Sequence, residues 1–394
     1  MGAFLFPLTP KIGHNKADLI APPKQSKKKM TSHKFSALTL PASFTAVLLA
    51  ASFATSTAFA QEAEQPTEEI KPPRPPLEER IPEEIKKEDA TFFTITSEND
   101  NYGDGSDQDY TNGIRFSFYE YSAPPPDFAY ALADILPTFK VNDTTSVYYS
   151  FGQNLYTPKD ISNPNLQPND RPYAAFLYGS AGLTSISGNH QDDIEVTLGV
   201  VGPMALGEET QTLVHDTLDV QEPEGWDNQL DNEPGLILSW ERSWPEAAST
   251  EIGPLTFRVA PHTGVTLGNI YTYGAAGGTF EILPTAYKWQ APPMRVRPAI
   301  PGNGYFSVPK NVWAWSFFGG VEGRAMARNI FLDGNTFSDS HSVDKKIMVA
   351  DANVGVSLAY GDTRFSYTLN WRSKEFDGQD GNTLFGAISV GFRF

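Results

Sequence analysis

The 394-residue chain contains no cysteine, which excludes disulfide bonds and a thiolate nucleophile together. It is also short of positive charge. The formal net charge is −17 and no basic patch follows the first 60 residues, so a polyphosphate would be repelled and no nucleic acid is expected as a partner. The most sustained apolar stretch, Phe44 to Phe53, is too short for a comfortable membrane-spanning helix. A mean hydropathy of −0.34 likewise argues against a helical membrane protein. No Gly-x-Ser-x-Gly elbow occurs, which disfavours a covalent serine mechanism. A serine and histidine placed side by side on a barrel wall stay open.

What is present at the N-terminal end is a basic run, Lys27-Lys28-Lys29, then that apolar stretch, then the small-residue ending Ala58-Phe59-Ala60. The order is that of a secretory signal peptide over residues 1–60, with Met30 as an alternative start. Residues 61–88 are rich in Pro and Glu without an apolar period and read as an extended or disordered lead-in. Residues 89–394 are left to fold. They carry four histidines, His190, His215, His262 and His341, and are more acidic than the whole chain. Acidic loops of this kind suit cations, or simply solvate the surface.

The last ten residues alternate apolar with small or polar side chains and finish on Phe394. Ile388, Val390, Phe392 and Phe394 would share a lipid-facing side while Ser389 and Arg393 turn inward, as in the closing strand of a transmembrane β-barrel. Comparable alternation recurs near 90–98, 111–121, 145–156, 173–186, 192–201, 234–244, 254–267, 270–282, 311–324, 347–360, 363–371 and 385–394. The expected fold is all-β: an antiparallel barrel of about twelve strands in a bacterial outer membrane, with long outer loops and short periplasmic turns. The long insertions at 122–144, 202–233, 283–310 and 329–346 are expected outside, and Gly361-Asp362 is a tight turn. A barrel inserted this way would have outer-membrane lipids and the barrel-assembly machinery as partners. A soluble β-sandwich is the competing architecture.

Oxygen donors crowd the first loop. Ser97-Glu98-Asn99-Asp100 runs into Asn101-Tyr-Gly-Asp-Gly-Ser-Asp107 and then Asp109-Tyr-Thr-Asn-Gly113. Such a loop suits Ca²⁺, although its spacing is not that of an EF-hand and it also reads as turn chemistry. These segments, with Gly152-Gln-Asn-Leu-Tyr-Thr-Pro158, Asn169-Asp-Arg-Pro-Tyr-Ala174, His215 and Gly225-Trp-Asp-Asn-Gln-Leu230 in that order, resemble the lipid A 3′-O-deacylase (LpxR) family of outer-membrane barrels. The resemblance extends from about Thr91 to Phe394. It implies a calcium-dependent esterase near the outer rim that removes the 3′-linked acyloxyacyl group of lipid A, with lipopolysaccharide as substrate.

By motif position, the resemblance implies that His215 is the general base, that Asp100 and Asn99 hold calcium, and that Asn99 and Thr111 orient metal, water or oxyanion. It also implies a carboxylate supporting the histidine. The spacing to Trp226 puts Gln221 at that place and Glu222 one residue later. A Lys-Arg pair for the substrate phosphate would fall on Lys159 and Arg171, on a loop shorter than the family's. Read from the residues alone, Arg171 is equally an arginine packed among acids inside a barrel, and His215 a loop histidine. Two other functions fit the same barrel: a phospholipase-type esterase, or a non-catalytic channel or structural protein.

Overall fold

A computed structural model describes residues 75–79, 91–103, 109–121, 125–136, 138–285, 305–306 and 311–394. Residues 1–60, read as the signal peptide, lie outside that set, as do 104–108 of the oxygen-rich loop and most of 283–310. Thirteen β segments follow in chain order: β1 (Thr91–Asn99), β2 (Asp109–Glu120), β3 (Ser146–Thr157), β4 (Ala174–Ser187), β5 (His190–Val201), β6 (Glu233–Ser243), β7 (Ala248–Ile252), β8 (Leu255–Gly268), β9 (Tyr271–Pro284), β10 (Trp313–Asn329), β11 (Met348–Tyr360), β12 (Thr363–Arg372) and β13 (Thr383–Arg393). Three α-helical segments lie between them: α1 (Asp127–Ile135), α2 (Gly207–Leu218) and the single turn α3 (Ile330–Asp333).

The sheet is antiparallel throughout and closes on itself, since β6 pairs with β8 while β1 pairs with β13. Twelve staves result, because β6 and β7 are two halves of one stave. The first half of β8 pairs with β7 and its second half with β6. Between the halves, Trp244 to Ala247 bulge out, and the Trp244 amide donates to the carbonyl of Pro261 at 2.9 Å. Pro261, which has no amide hydrogen to give a ladder, sits on β8 where that stave changes partner.

Period-2 alternation builds the wall. Val196 and Leu198, Leu236 and Leu238, and Val354, Val356 and Leu358 project outward and exposed, as lipid-facing residues do. Their neighbours turn into a filled lumen. At mid-height Arg115 donates to Glu195 at 2.9 Å and to the hydroxyls of Ser150 and Ser180 at 2.6 and 3.3 Å. Near the rim where β1 ends, Tyr156 and Phe331 stack with centroids 4.0 Å apart, and the Tyr156 and Tyr271 hydroxyls meet at 2.8 Å. At the other end Phe92, Tyr121, Tyr305 and Phe306 pack together with Leu77.

Two expectations change. Strand parity puts insertions 202–233 and 329–346 at the rim, whereas β2 and β9 end, and β3 and β10 begin, at the opposite end, beside the tight turns. There α1 and Phe139 pack under Val147 and Leu183, so this end is capped by chain and not by turns alone. Part of the lead-in is also docked. Leu77 is buried, its amide donates to Asn189 Oδ1 at 3.1 Å, and the Glu78 amide donates to the Gly188 carbonyl at 3.0 Å. A short apolar residue among prolines gave no periodic signal of that anchoring.

Candidate active site

The oxygen donors of the first loop gather at the rim. Asn99 closes β1, and its side chain accepts from the Asn101 amide at 2.8 Å, capping a 3₁₀ turn over Asp100–Tyr102. Asp100 is 0% exposed and its Oδ1 accepts from the same amide at 2.9 Å. In register Asn99 faces Asn112 of β2 and Gly386 of β13. Thr111 lies one residue before Asn112, and the β2–β3 register shifts there, between Tyr110 and Asn112.

That bulge re-aims a side chain. Tyr110 points into the lumen, its ring 5.2 Å from Phe385 and its hydroxyl accepting from Asn154 Nδ2 at 2.8 Å. Thr111, next along, turns the other way and meets the Thr157 hydroxyl at 2.6 Å. Thr157 follows lumen-facing Tyr156, so it stands on the outward side of the wall. Asn99 alternates with lumen-facing Glu98 and shares that side.

Helix α2 is laid on the same outward surface, over β3 and β4. Leu155 and Ala175 pack there with Ile161, Tyr173, Ala205 and Trp226. Gly207 allows the close approach, since a Cβ would come within 2.5 Å of Ala175 Cβ and 2.6 Å of the Trp226 ring. The Gln153 side-chain amide donates to the carbonyls of Ala205 and Leu206 at 2.7 and 3.2 Å, pinning Leu206 at φ 58°, a left-handed conformation costly for leucine. One turn on, Gln211 Oε1 accepts from Trp226 Nε1 at 2.8 Å. His215 is four residues further along and therefore on the same helix face. It is 6% exposed.

The end of α2 orients the imidazole. Asp219 takes φ 55°, the Asp219 and Val220 amides both return to the His215 carbonyl, and the chain folds back until the Gln221 carbonyl meets His215 Nδ1. A carbonyl only accepts. Nδ1 therefore carries the proton of the neutral ring, and Nε2 keeps the lone pair. The residue in the expected carboxylate's place thus supports the histidine through its backbone. Glu222 lies beside the site with its carboxyl hydrogen-bonded to Asp216, which raises its pKa above the ordinary glutamate value.

Lys159 and Arg171 separate. The Lys159 side chain is 59% exposed and ion-pairs with Asp380 across a cleft of about 350 Å³ over the barrel mouth, lined by residues of 159–170 and 376–382. Arg171 is 1% exposed. Its Nη2 donates to Glu375 at 2.9 Å and its guanidinium lies 5.8 and 5.5 Å from the Tyr156 and Phe376 rings. Burial alone would push the Glu375 carboxyl up, yet Arg372 and Arg171 outweigh it and hold it below the usual glutamate range. Enclosure between two rings and a carboxylate is what the packing reading of Arg171 expects.

The structure places Asn99 at the end of β1, Asp100 in the 3₁₀ turn that follows and Thr111 at the start of neighbouring β2, and seats His215 on a helix laid over β3 and β4 on the outward side of the wall. Three contributors were not read from sequence: Thr157, Gln211 and the Gln221 carbonyl. Gln211 was detectable as the i−4 neighbour of His215 once 207–218 is a helix, and Thr157 sits in the 152–158 motif. A backbone carbonyl leaves no trace in residue identity.

The fold and its rim define an outer-membrane β-barrel with polar and titratable groups gathered on the lipid-facing side of the wall. A family model described as outer membrane protein LpxR matches residues 44–394, and the chain belongs to that family. Among solved structures it is similar to LpxR from Salmonella typhimurium, with a TM-score of 0.61, 20% sequence identity, and coverage of 76% of this chain and 99% of that one. The β domain of the Bordetella autotransporter Brka also aligns, at a TM-score of 0.38 and 6% identity over 77% of this chain and 99% of that one. No curated protein matches by sequence.

Proposed function

We propose that the protein is a lipid A deacylase of the outer membrane, in which His215 activates water to hydrolyse the 3′-linked acyloxyacyl ester. The carrying observation is the buried imidazole with Nδ1 held by the Gln221 carbonyl, on a helix laid over the outward side of the wall, the side that Thr111 and Thr157 share. His215 Nε2 takes a proton from water as the oxygen attacks the ester carbonyl, and the imidazolium returns a proton to the departing sugar oxygen. The products are the acyloxyacyl carboxylic acid and a free sugar hydroxyl.

The rim residues fit a hard dication. Asp100 and the Asn99 side chain offer oxygen donors of the kind Ca²⁺ takes, and the Thr111 hydroxyl adds another oxygen on the neighbouring strand. Bound by Asp100 and Asn99, calcium would supply positive charge for the ester oxygen. Thr111, fixed by Thr157, orients water or oxyanion from the wall. Lys159, exposed at the mouth, is a candidate for a substrate phosphate. A lumen filled at both ends by aromatic clusters gives the channel reading no support.

The test is mass spectrometry of lipid A from cells expressing wild type or His215→Ala, with Ca²⁺ supplied or chelated. Loss of the 3′ acyl chains only with wild type and Ca²⁺ is expected. Unchanged lipid A despite heat-modifiable, folded barrel in the outer membrane would refute the reading, and altered phospholipids would favour the phospholipase.

A further inference from the structure

A second group of ligating side chains lies inside the lumen, away from the rim and unused by the chemistry above. Glu241 of β6, His262 of β8 and Glu322 of β10 each offer one atom, and these atoms lie within 4.8 Å of one another. His262 Nε2 is 3.1 Å from Glu322 Oε2. In register, Gly277 of β9 is the partner of both His262 and Glu322, so the imidazole reaches its carboxylate by lying across that glycine. A Cβ at 277 would come within 2.8 Å of His262 Cε1 and Nε2. The glycine leaves a cradle for the ring.

Acidic side chains from neighbouring strands converge at this place. Glu241 is also the cross-strand partner of Asp193, whose side chain is buried in the lumen, and like charges directly opposite each other destabilise a sheet. Arg324 approaches the other Glu322 oxygen at 3.7 Å, but its Nη2 is engaged by Asp351 at 2.7 Å. One imidazole nitrogen and two carboxylates, from three staves, present three ligand atoms to one point in the lumen.

We propose that Glu241, His262 and Glu322 bind a first-row transition-metal dication of the Zn²⁺ class. One imidazole nitrogen with carboxylate oxygens suits such ions. Bonds of about 2.0–2.2 Å at a tetrahedral angle place ligand atoms about 3.3–3.6 Å apart, within a few tenths of an ångström of the 3.1 Å between Nε2 and Oε2. The site spans β6, β8 and β10, next to the stave where β6 breaks into β7 and only part of β8 pairs with β6. A metal here staples the barrel at its interrupted seam.

The experiment uses the full-length protein purified in detergent, stripped with chelator and titrated with Co²⁺, reading visible d–d absorption and competition by Zn²⁺. One equivalent is expected, retained in Asp100→Asn and His215→Ala and weakened at least about 100-fold in His262→Ala. Metal should also raise the temperature of the heat-modifiability transition in wild type but not in His262→Ala. Glu241→Gln, which keeps the ring and side-chain shape, is the second variant and should weaken binding at least about tenfold. No uptake by wild type, uptake lost with Asp100→Asn or His215→Ala, or unchanged affinity in folded Glu241→Gln would each overturn the site.

Discussion

Replacing Arg171 with alanine separates packing from substrate binding. The guanidinium is enclosed by Tyr156 and Phe376 and bonded to Glu375, both partners being almost fully withdrawn from water. Removing one member of a buried pair typically costs about 3–5 kcal/mol, because the other charge is left without compensation. Glu375 still has Arg372 at 3.7 Å, which places the expected loss near the lower end, about 3 kcal/mol. Arg171→Met keeps much of the stem against the rings and should recover part of it. Lys159→Ala should stay within about 0.5 kcal/mol, since its pair with Asp380 is exposed at both ends. Urea unfolding in detergent, followed by tryptophan fluorescence and heat modifiability, measures all three. If Arg171→Ala unfolds within 1 kcal/mol of wild type while substrate affinity falls, the enclosed-strut argument is refuted and Arg171 returns to the headgroup.

The remaining predictions concern the site. Thr111→Val leaves the buried Thr157 hydroxyl without its 2.6 Å partner and should cost about 1–3 kcal/mol together with most of the deacylation, measured by unfolding and by lipid A turnover on the same preparation. Leu213 is 68% exposed on α2 beside Val214. Leu213→Asp should therefore reduce turnover on lipid A in vesicles more than on dispersed detergent micelles, and equal losses would argue against lipid contact by this helix face. The Glu222 carboxyl has its pKa raised in the folded protein by Asp216, so its contribution to loop stability is fully present below the ordinary glutamate pKa and is lost as pH rises through the folded value. Protease nicking of 219–225 should accordingly increase across that window in wild type and flatten in Glu222→Gln.

The alternation that stands for lipid on one side and filler on the other was readable for each of the twelve staves, because a period-2 pattern survives whatever the loops do. β10 extends to Asn329, five residues past its expected end, since small residues such as Gly323 and Ala325 gave weak alternation. The split of β6 from β7 was hidden, although Trp244-Pro245 and Pro261 mark it in retrospect. Asn99, Asp100, Thr111 and His215 could be picked out as motif residues, while the outward side of Thr111 depended on one bulge that residue types do not encode. Arg171 was ambiguous for a physical reason: polar lumen and polar mouth draw on the same arginine chemistry, and only enclosure tells them apart.

Strand β1, which ends in Asn99, is held on one side by β13, and Thr96 Oγ1 donates to Ser389 Oγ at 3.2 Å across a sequence separation of 293 residues. This pairing has about the longest loop to close in the molecule, and non-local pairings of that kind form late. The order of assembly then bears on the proposed site. Asn99 and Asp100 lie at the end of a strand whose second edge is filled only when the final strand has zipped to the first, so on the proposed reading the site would be completed only as the barrel closes.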